Sequence, residues 1–303
     1  MRPFNYNETE FGGTEYMGRG WHKHIAQHMP KLDNYLAIII PGIPPSPAAM
    51  MASDKEILVW IHNTPKQFHL DKLNVLRHPK FLEKVKYFIV PSEEHKRLVL
   101  LDIPIEPERV YVIPNAIDPL RYNPEKFDKQ SKVRLINTSR MERGIEVLLN
   151  AVPLIQEDFE LDIFCEFNPT QYPEYVPDER LNFYNFSYKG TVRKHYEKAH
   201  IHSYPSTYVE TFCISQIESM SAGLVCVTSD LGALPEISHG FGRLYPFEKD
   251  PFKHSQIFAE QITLAIQDIK AGNWDPTEQI RYINETYSWE AVIPQWIKFH
   301  DLL

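Results

Sequence analysis

Apolar residues gather in short runs that recur along the whole chain. YLAIII (35–40), ILVWI (57–61), YFIV (87–90), VYVI (110–113), VRLINT (133–138), LDIFC (161–165), IHSYP (201–205) and LVCVTS (224–229) each read as a strand. Several are continuous rather than alternating in polarity, which is the pattern of strands covered on both faces of a parallel sheet. Stretches with helical spacing lie between them, among them 143–156, 213–222 and 255–270. This alternation predicts an α/β fold with parallel sheets. Near the end, SWEAVIPQWIKFH carries Trp289, Ile293, Trp296 and Phe299 at helical spacing and predicts an amphipathic helix packed on a core. The turn-rich segment 113–130, with three prolines, two asparagines and a charged run, marks a domain boundary. PGIPPSPAAM (41–50) predicts a surface loop.

Composition narrows the function classes. A chain of 303 residues suits two modest domains, and 43% hydrophobic residues are enough to build cores in both. The net charge of −8 comes entirely from the part beyond residue 119, and an acidic chain without a basic stripe is a poor nucleic-acid binder. Three cysteines, Cys165, Cys213 and Cys226, have no paired spacing, which argues for a reducing compartment. The first ten residues are polar, and the longest apolar run, 35–40, is too short to span a bilayer. A soluble cytoplasmic protein is expected. Residues 66–97 hold eight Lys and Arg against four Asp and Glu, either a solvated helix face or a contact with an anionic acceptor or a membrane surface.

The segment 204–237, YPSTYVETFCISQIESMSAGLVCVTSDLGALPEI, concentrates the chemistry. A strand ends at Pro205, a loop leads to Glu210, and a helix starts near Cys213. Ile214, Ile217, Glu218 and Ser221 then share one face. A carboxylate on that inward stripe is costly unless paired, and ribose hydroxyls are suitable donors. The helix N-terminus, Thr211, Phe212, Cys213 and Ile214, offers amides to an anion such as a diphosphate. Glu210 just precedes it, within reach of a sugar hydroxyl. Arg140 and Arg143 follow the strand VRLINT, where cations would meet a diphosphate. Gly12 and Gly13 precede a helix and permit close approach of backbone to phosphate. His62 ends the strand ILVWI. No metal site is expected: there is no Asp-x-Asp, and His24 and His28 lack a third ligand.

This ordered set resembles glycosyltransferase family 4. The glutamate pair, "VYVIPNAIDPLRYNP", "LINTSRMERGIEVLLNAVPLI", "KGTVRKHYEKAHIHSYPS" and "GALPEI" together cover roughly residues 85–245. The resemblance implies a GT-B fold, with two Rossmann-like domains. These would be an abbreviated acceptor-side domain at 1–118, a nucleotide-sugar domain at 119–288, and a helix at 289–303 that crosses back. It implies a retaining, metal-independent transferase that needs no cofactor and takes a nucleotide diphosphate sugar as donor, with a glycan, lipid or other hydroxyl acceptor. In that family the first glutamate, here Glu210, meets the donor sugar and the second, here Glu218, holds the ribose. The base would meet the backbone around Val192, and His62 would face the sugar. The family pattern has Arg, a longer spacer and Lys-Gly; here Met141-Glu142 is the whole spacer and Arg143 replaces the lysine. A nucleotide-sugar epimerase, a phosphorylase and a non-catalytic sugar-nucleotide or glycan-binding protein are the alternatives.

Overall fold

In the computed structural model of the chain, which describes residues 13–40, 47–64, 75–127, 132–172, 175–184 and 189–303, the apolar runs form eight of ten strands, which lie in two all-parallel sheets. The chain divides into two compact units, the first made of residues up to Asp118 together with Thr286–Leu303, the second of Pro119–Glu285.

The first unit carries β1 (Leu36–Ile40), β2 (Ile57–Ile61), β3 (Val85–Val90) and β4 (Val110–Val112), in that spatial order. Every residue of β2 is buried, which is why ILVWI shows no alternation. Helices α1 (Gly13–His24), α2 (Pro47–Ala52), α3 (Pro79–Lys84) and α4 (Glu93–Asp102) accompany the sheet. Part of the expected 41–50 loop is therefore helical: Pro47 sits at the first helical position, where its missing N–H costs nothing, and AAMMA are good helix formers. Residues 41–46 lie outside the described residues.

The second unit has β5 (Val133–Asn137), β6 (Phe159–Phe164), β7 (Leu181–Tyr184), β8 (Ile201–Tyr204), β9 (Val225–Ser229) and β10 (Arg243–Tyr245), ordered β10-β9-β8-β5-β6-β7. The order runs outward in opposite directions from the β5/β8 pair. That pair is a topological switch point, and the loops leaving its carboxyl ends diverge to leave a crevice. Its helices are α5 (Ile145–Ala151), α6 (Lys189–Lys198), α7 (Ile214–Ser221), α8 (Leu234–Ser238), α9 (Pro251–Ala271) and α10 (Thr277–Tyr287). Leu148 of α5 and Phe258, Ile262 and Ile266 of α9 pack with Leu135, Leu161 and Ile163 of the sheet. The continuous helix expected at 143–156 is in fact α5 flanked by 3-10 turns at Met141–Arg143 and Val152–Leu154. Gly144, at φ 120°, breaks its start, and Pro153 breaks its end.

The final helix, α11 (Trp289–Asp301), packs within the first unit. The ring of Trp296 meets Trp60 of β2 edge-on at 5.1 Å and Trp21 of α1 at 5.8 Å. Trp289 lies so close to Gly20 that a Cβ there would overlap its indole. Among the described residues, no helix is long and apolar enough to cross a membrane.

Candidate active site

The site grows from the switch point. Asn137, buried at the end of β5, donates from Nδ2 to the Ser203 carbonyl of β8 at 2.7 Å and accepts from the Ser139 amide and hydroxyl at 3.2 and 3.0 Å. One side chain thus fixes both strand ends and the first residues of the β5 loop. Arg140 then opens the 3-10 turn, whose closing bond runs from the Arg143 amide to the Arg140 carbonyl at 3.1 Å. At Gly144 a Cβ would overlap the Pro205 carbonyl, so only glycine lets the β5 loop lie against the β8 loop. The Thr207 amide bonds the Arg143 carbonyl at 3.3 Å across the same junction.

Glu210 sits at the centre of this junction, 4% exposed. Its Oε1 accepts from the Tyr204 hydroxyl at 2.6 Å and from Arg143 Nη1 at 3.0 Å. The Arg143 guanidinium stacks over the Tyr208 ring, 4.1 Å from its centroid. Burial pushes the Glu210 carboxyl above the usual carboxylate range, against the pull of Arg143 and Tyr204. Burial is the largest single influence on Arg143 and works against its charge, but Glu210, joined by Tyr204, Tyr208 and Cys213, outweighs it and raises the pKa. Tyr204, buried and facing that carboxylate, is held well above its ordinary range and stays a donor. The Glu210 backbone is clamped as well, by a bridge to Gly232 and by the Ala233 amide at 2.8 Å on its carbonyl.

Beyond Glu210, Thr211, Phe212 and Cys213 are buried and lead into α7, which starts at Ile214. Cys213 occupies the cap position without a side-chain cap bond, its thiol pairing instead with the Ser215 hydroxyl at 3.2 Å, and the start of the helix suits an anion. Glu218 is buried on α7, 4% exposed. Near it, Tyr196 of α6 is raised well above its ordinary range by burial and by the Glu218 carboxylate, and its hydroxyl pairs with Thr138 at 2.6 Å. His202 of β8 lies between Tyr196 and Tyr204, at 6.4 and 6.0 Å, with burial lowering its pKa to about 3.

The structure thus brings together Arg143, Glu210, Thr211, Phe212, Cys213, Ile214 and, on the same helix, Glu218. Arg143 pairs with Glu210. Arg140 is exposed and forms no ion pair among the described residues. Val192 lies within α6, half-buried against the Tyr196 and Leu224 cluster. His62 and Gly13 belong to the first unit, and Gly12 lies outside the described residues. His62 is buried beside Trp60, ring centroids 4.7 Å apart, and burial followed by the neighbouring His95 lowers its pKa to about 3. His24 stacks on Trp289 at 5.1 Å and lies 3.7 Å from Asp118. Asn137, Tyr196 and Tyr204 do not stand out in the sequence. Their signal is a polar group at the end of an apolar strand or on a helix face turned inward.

Residues 132–268 match the family described as glycosyl transferases group 1. That stretch is similar to a group 1 glycosyltransferase domain. Over 226 residues it is 27% identical to a human protein named as one subunit of phosphatidylinositol N-acetylglucosaminyltransferase, an alignment that takes in 71% of this chain and 46% of that protein. Over 234 residues it is 24% identical to the phosphatidylinositol N-acetylglucosaminyltransferase gpi3 subunit of Schizosaccharomyces pombe, covering 73% and 49%. The chain spans about half the length of these curated relatives. Among solved structures, HepE of Anabaena in complex with UDP-glucose superposes with a TM-score of 0.72 at 15% identity, covering 88% of this chain and 79% of that one. The fold is GT-B, with one parallel sheet in each Rossmann-like unit. The group 1 match contains β5 through β10 and most of α9, and so every loop that carries the Arg143–Glu210 junction.

Proposed function

We propose that the chain is a retaining, metal-independent glycosyltransferase that moves a sugar from a nucleotide diphosphate to a hydroxyl acceptor. The observation that carries this reading is Glu210, buried and fixed by Arg143 and Tyr204 at the switch point, directly before the uncapped start of α7. In this reading the α7 amides and Arg140 bind the diphosphate, Glu218 binds the ribose, and Glu210 orients a sugar hydroxyl. Charge that grows on the leaving phosphate is met by fixed dipoles and a cation, so no metal is needed. The departing phosphate oxygen takes the acceptor proton, and the configuration is retained.

HepE was solved with UDP-glucose, and the curated relatives are named for N-acetylglucosaminyl transfer to phosphatidylinositol. UDP-N-acetylglucosamine and UDP-glucose are therefore the first donors to test, and phosphatidylinositol the first acceptor. The experiment is release of UDP and formation of glycoside, with and without EDTA, in wild type and Glu210→Gln. Turnover that survives EDTA and collapses in Glu210→Gln is expected. Loss of turnover in EDTA, restored by manganese or magnesium, sinks metal independence. Tight UDP-sugar binding without any turnover, hydrolysis included, points to a binding protein.

A further inference from the structure

At the opposite end of the second unit's sheet, the amino ends of β5 and β8 open on a cavity of 360 Å³ lined by Asn123, Lys126, Lys132, Arg134, Lys198 and His200. Lys132 precedes β5 and Arg134 lies within it; Lys198 ends α6 and His200 precedes β8. The Arg143–Glu210 junction lies at the carboxyl ends of the same two strands. Five residues of strand put it about 15 Å away.

Four of the six lining residues are Lys or Arg, and among the described residues no carboxylate lines the cavity. Composition does not explain this, because residues 119–285 hold 24 acids against 17 Lys and Arg. The partners of this cluster lie outside the cavity. Asp158 and Glu160 reach Lys132 at 3.3 and 3.8 Å, Glu160 reaches Arg134 at 3.7 Å, and both acids have exposed side chains.

Lys126 is the decisive wall. It is 7% exposed, its ammonium donates to the Ala222 carbonyl at 2.8 Å, and it lies over the Phe127 and Tyr122 rings. Burial pulls its pKa down to about 7, with Glu197 opposing. Lys132, Arg134 and Lys198 line the same cavity beside it.

The cavity walls are also held in place. His200 accepts from the Arg134 amide at Nδ1, 2.9 Å, and donates from Nε2 to the Lys126 carbonyl. One neutral imidazole therefore locks the backbones that carry two of the four cations. The geometry points to a second anion site: we propose that this pocket takes the phosphate group of a phosphorylated small molecule or headgroup, with Lys126, Lys132, Arg134 and Lys198 as its donors. A tetrahedral oxyanion offers several acceptors to converging N–H donors, and a cavity of this volume has room for a ring attached to it.

The test uses the double variant Arg134→Gln/Lys198→Gln, since both side chains are exposed and neither carries a core contact. Sodium sulfate is the first probe, because its charge is constant near neutral pH. It is compared with sodium chloride at equal ionic strength by calorimetry and thermal unfolding. Wild type is expected to show saturable millimolar sulfate binding. The double variant should bind at least ten-fold more weakly while circular dichroism and UDP affinity stay within two-fold of wild type. Co-sedimentation with phosphatidylcholine vesicles, with and without phosphatidic acid, separates the sources. Retention on phosphatidic acid that the double variant loses identifies a headgroup; sulfate binding without retention identifies a soluble phosphorylated compound. Equal sulfate affinity in wild type and double variant, or no saturable binding in wild type, overturns the proposal.

Discussion

Replacing Tyr204 by Phe removes one atom from the centre of the candidate site. The Tyr204 hydroxyl lies 2.6 Å from Glu210 Oε1, and both residues are buried. Phenylalanine keeps the ring and its packing, so the cavity term is small and the lost hydrogen bond dominates. A hydrogen bond to a charged group is worth about 1.5–3 kcal/mol. Arg143 still pairs with the same oxygen at 3.0 Å, so the carboxylate is not orphaned and the larger penalty for an unpaired buried charge does not apply. For a unit of this size, each kcal/mol moves the melting temperature by about 2–4 °C, which predicts a drop of roughly 3–12 °C. The decisive assay is a double-mutant cycle of Tyr204→Phe with Glu210→Gln, read by denaturant unfolding of circular dichroism. If the hydroxyl acts on the carboxylate, the two changes couple by at least about 1 kcal/mol. If they add to within about 0.5 kcal/mol, the hydrogen bond carries no energy and Tyr204 is only a filler of the strand. In the proposed reaction the same Tyr204→Phe change should lower kcat more than it raises the donor KM, because a loosened Glu210 loses orientation before it loses binding.

Gly144→Ala places a methyl group on the Pro205 carbonyl at φ 120°, and strain and overlap together should cost about 2–5 kcal/mol in thermal unfolding; an unchanged melting temperature would mean the two loops do not touch. Burial holds His62 and His202 at a pKa of about 3 and His95 at about 4, below the ordinary 6.5. These groups are neutral when folded and take up protons when unfolded, so stability is full above pH 6.5 and falls as pH drops towards 4. The slope is up to about 1.4 kcal/mol per pH unit for each, and a flat profile between pH 7 and 5.5 would contradict it. Arg140→Ala should fold normally and lower turnover at saturating donor by roughly a hundred- to thousand-fold; a folded variant within a few-fold of wild type removes Arg140 from the chemistry.

Each of the eight apolar runs marks a strand of the structure to within two residues at either end, because burial on both faces writes a strand as an unbroken apolar word. β7, Leu181–Tyr184, and β10, Arg243–Tyr245, were not legible: both are edge strands, short and half-exposed, and their residues look like loop. Helix α6 was hidden for a related reason, since KGTVRKHYEK turns little more than Val192 and Tyr196 towards the core. The glutamates of α7 and its approach could be read because spacing within one segment sets their faces. The Arg143–Glu210 pair could not, because 67 residues separate its members and only the pairing of β5 with β8 brings them together. The basic cavity was invisible for the same reason, being assembled from three separate stretches around the amino ends of those strands.

The first unit is closed by α11, which returns to it only after the 167 residues of 119–285. In an unstructured chain a closure of that length costs about 2.4 kcal/mol more entropy than a ten-residue connection. The second unit has no such debt, since its sheet is built from one continuous stretch. Once that unit has folded, the excursion is no longer a flexible loop, and the residues that flank it are already tethered near one another. Ile117 and Ser288 then have little distance left to search before their bridge forms. Assembly in time should therefore run against the order of the chain, with the inserted unit first and the surrounding one last. Four of the five tryptophans, Trp21, Trp60, Trp289 and Trp296, gather in the unit that closes last, and only Trp274 lies in the other. Intrinsic fluorescence during refolding should consequently lag behind the return of helical ellipticity, the indole signal marking the arrival of the final helix rather than the first appearance of structure.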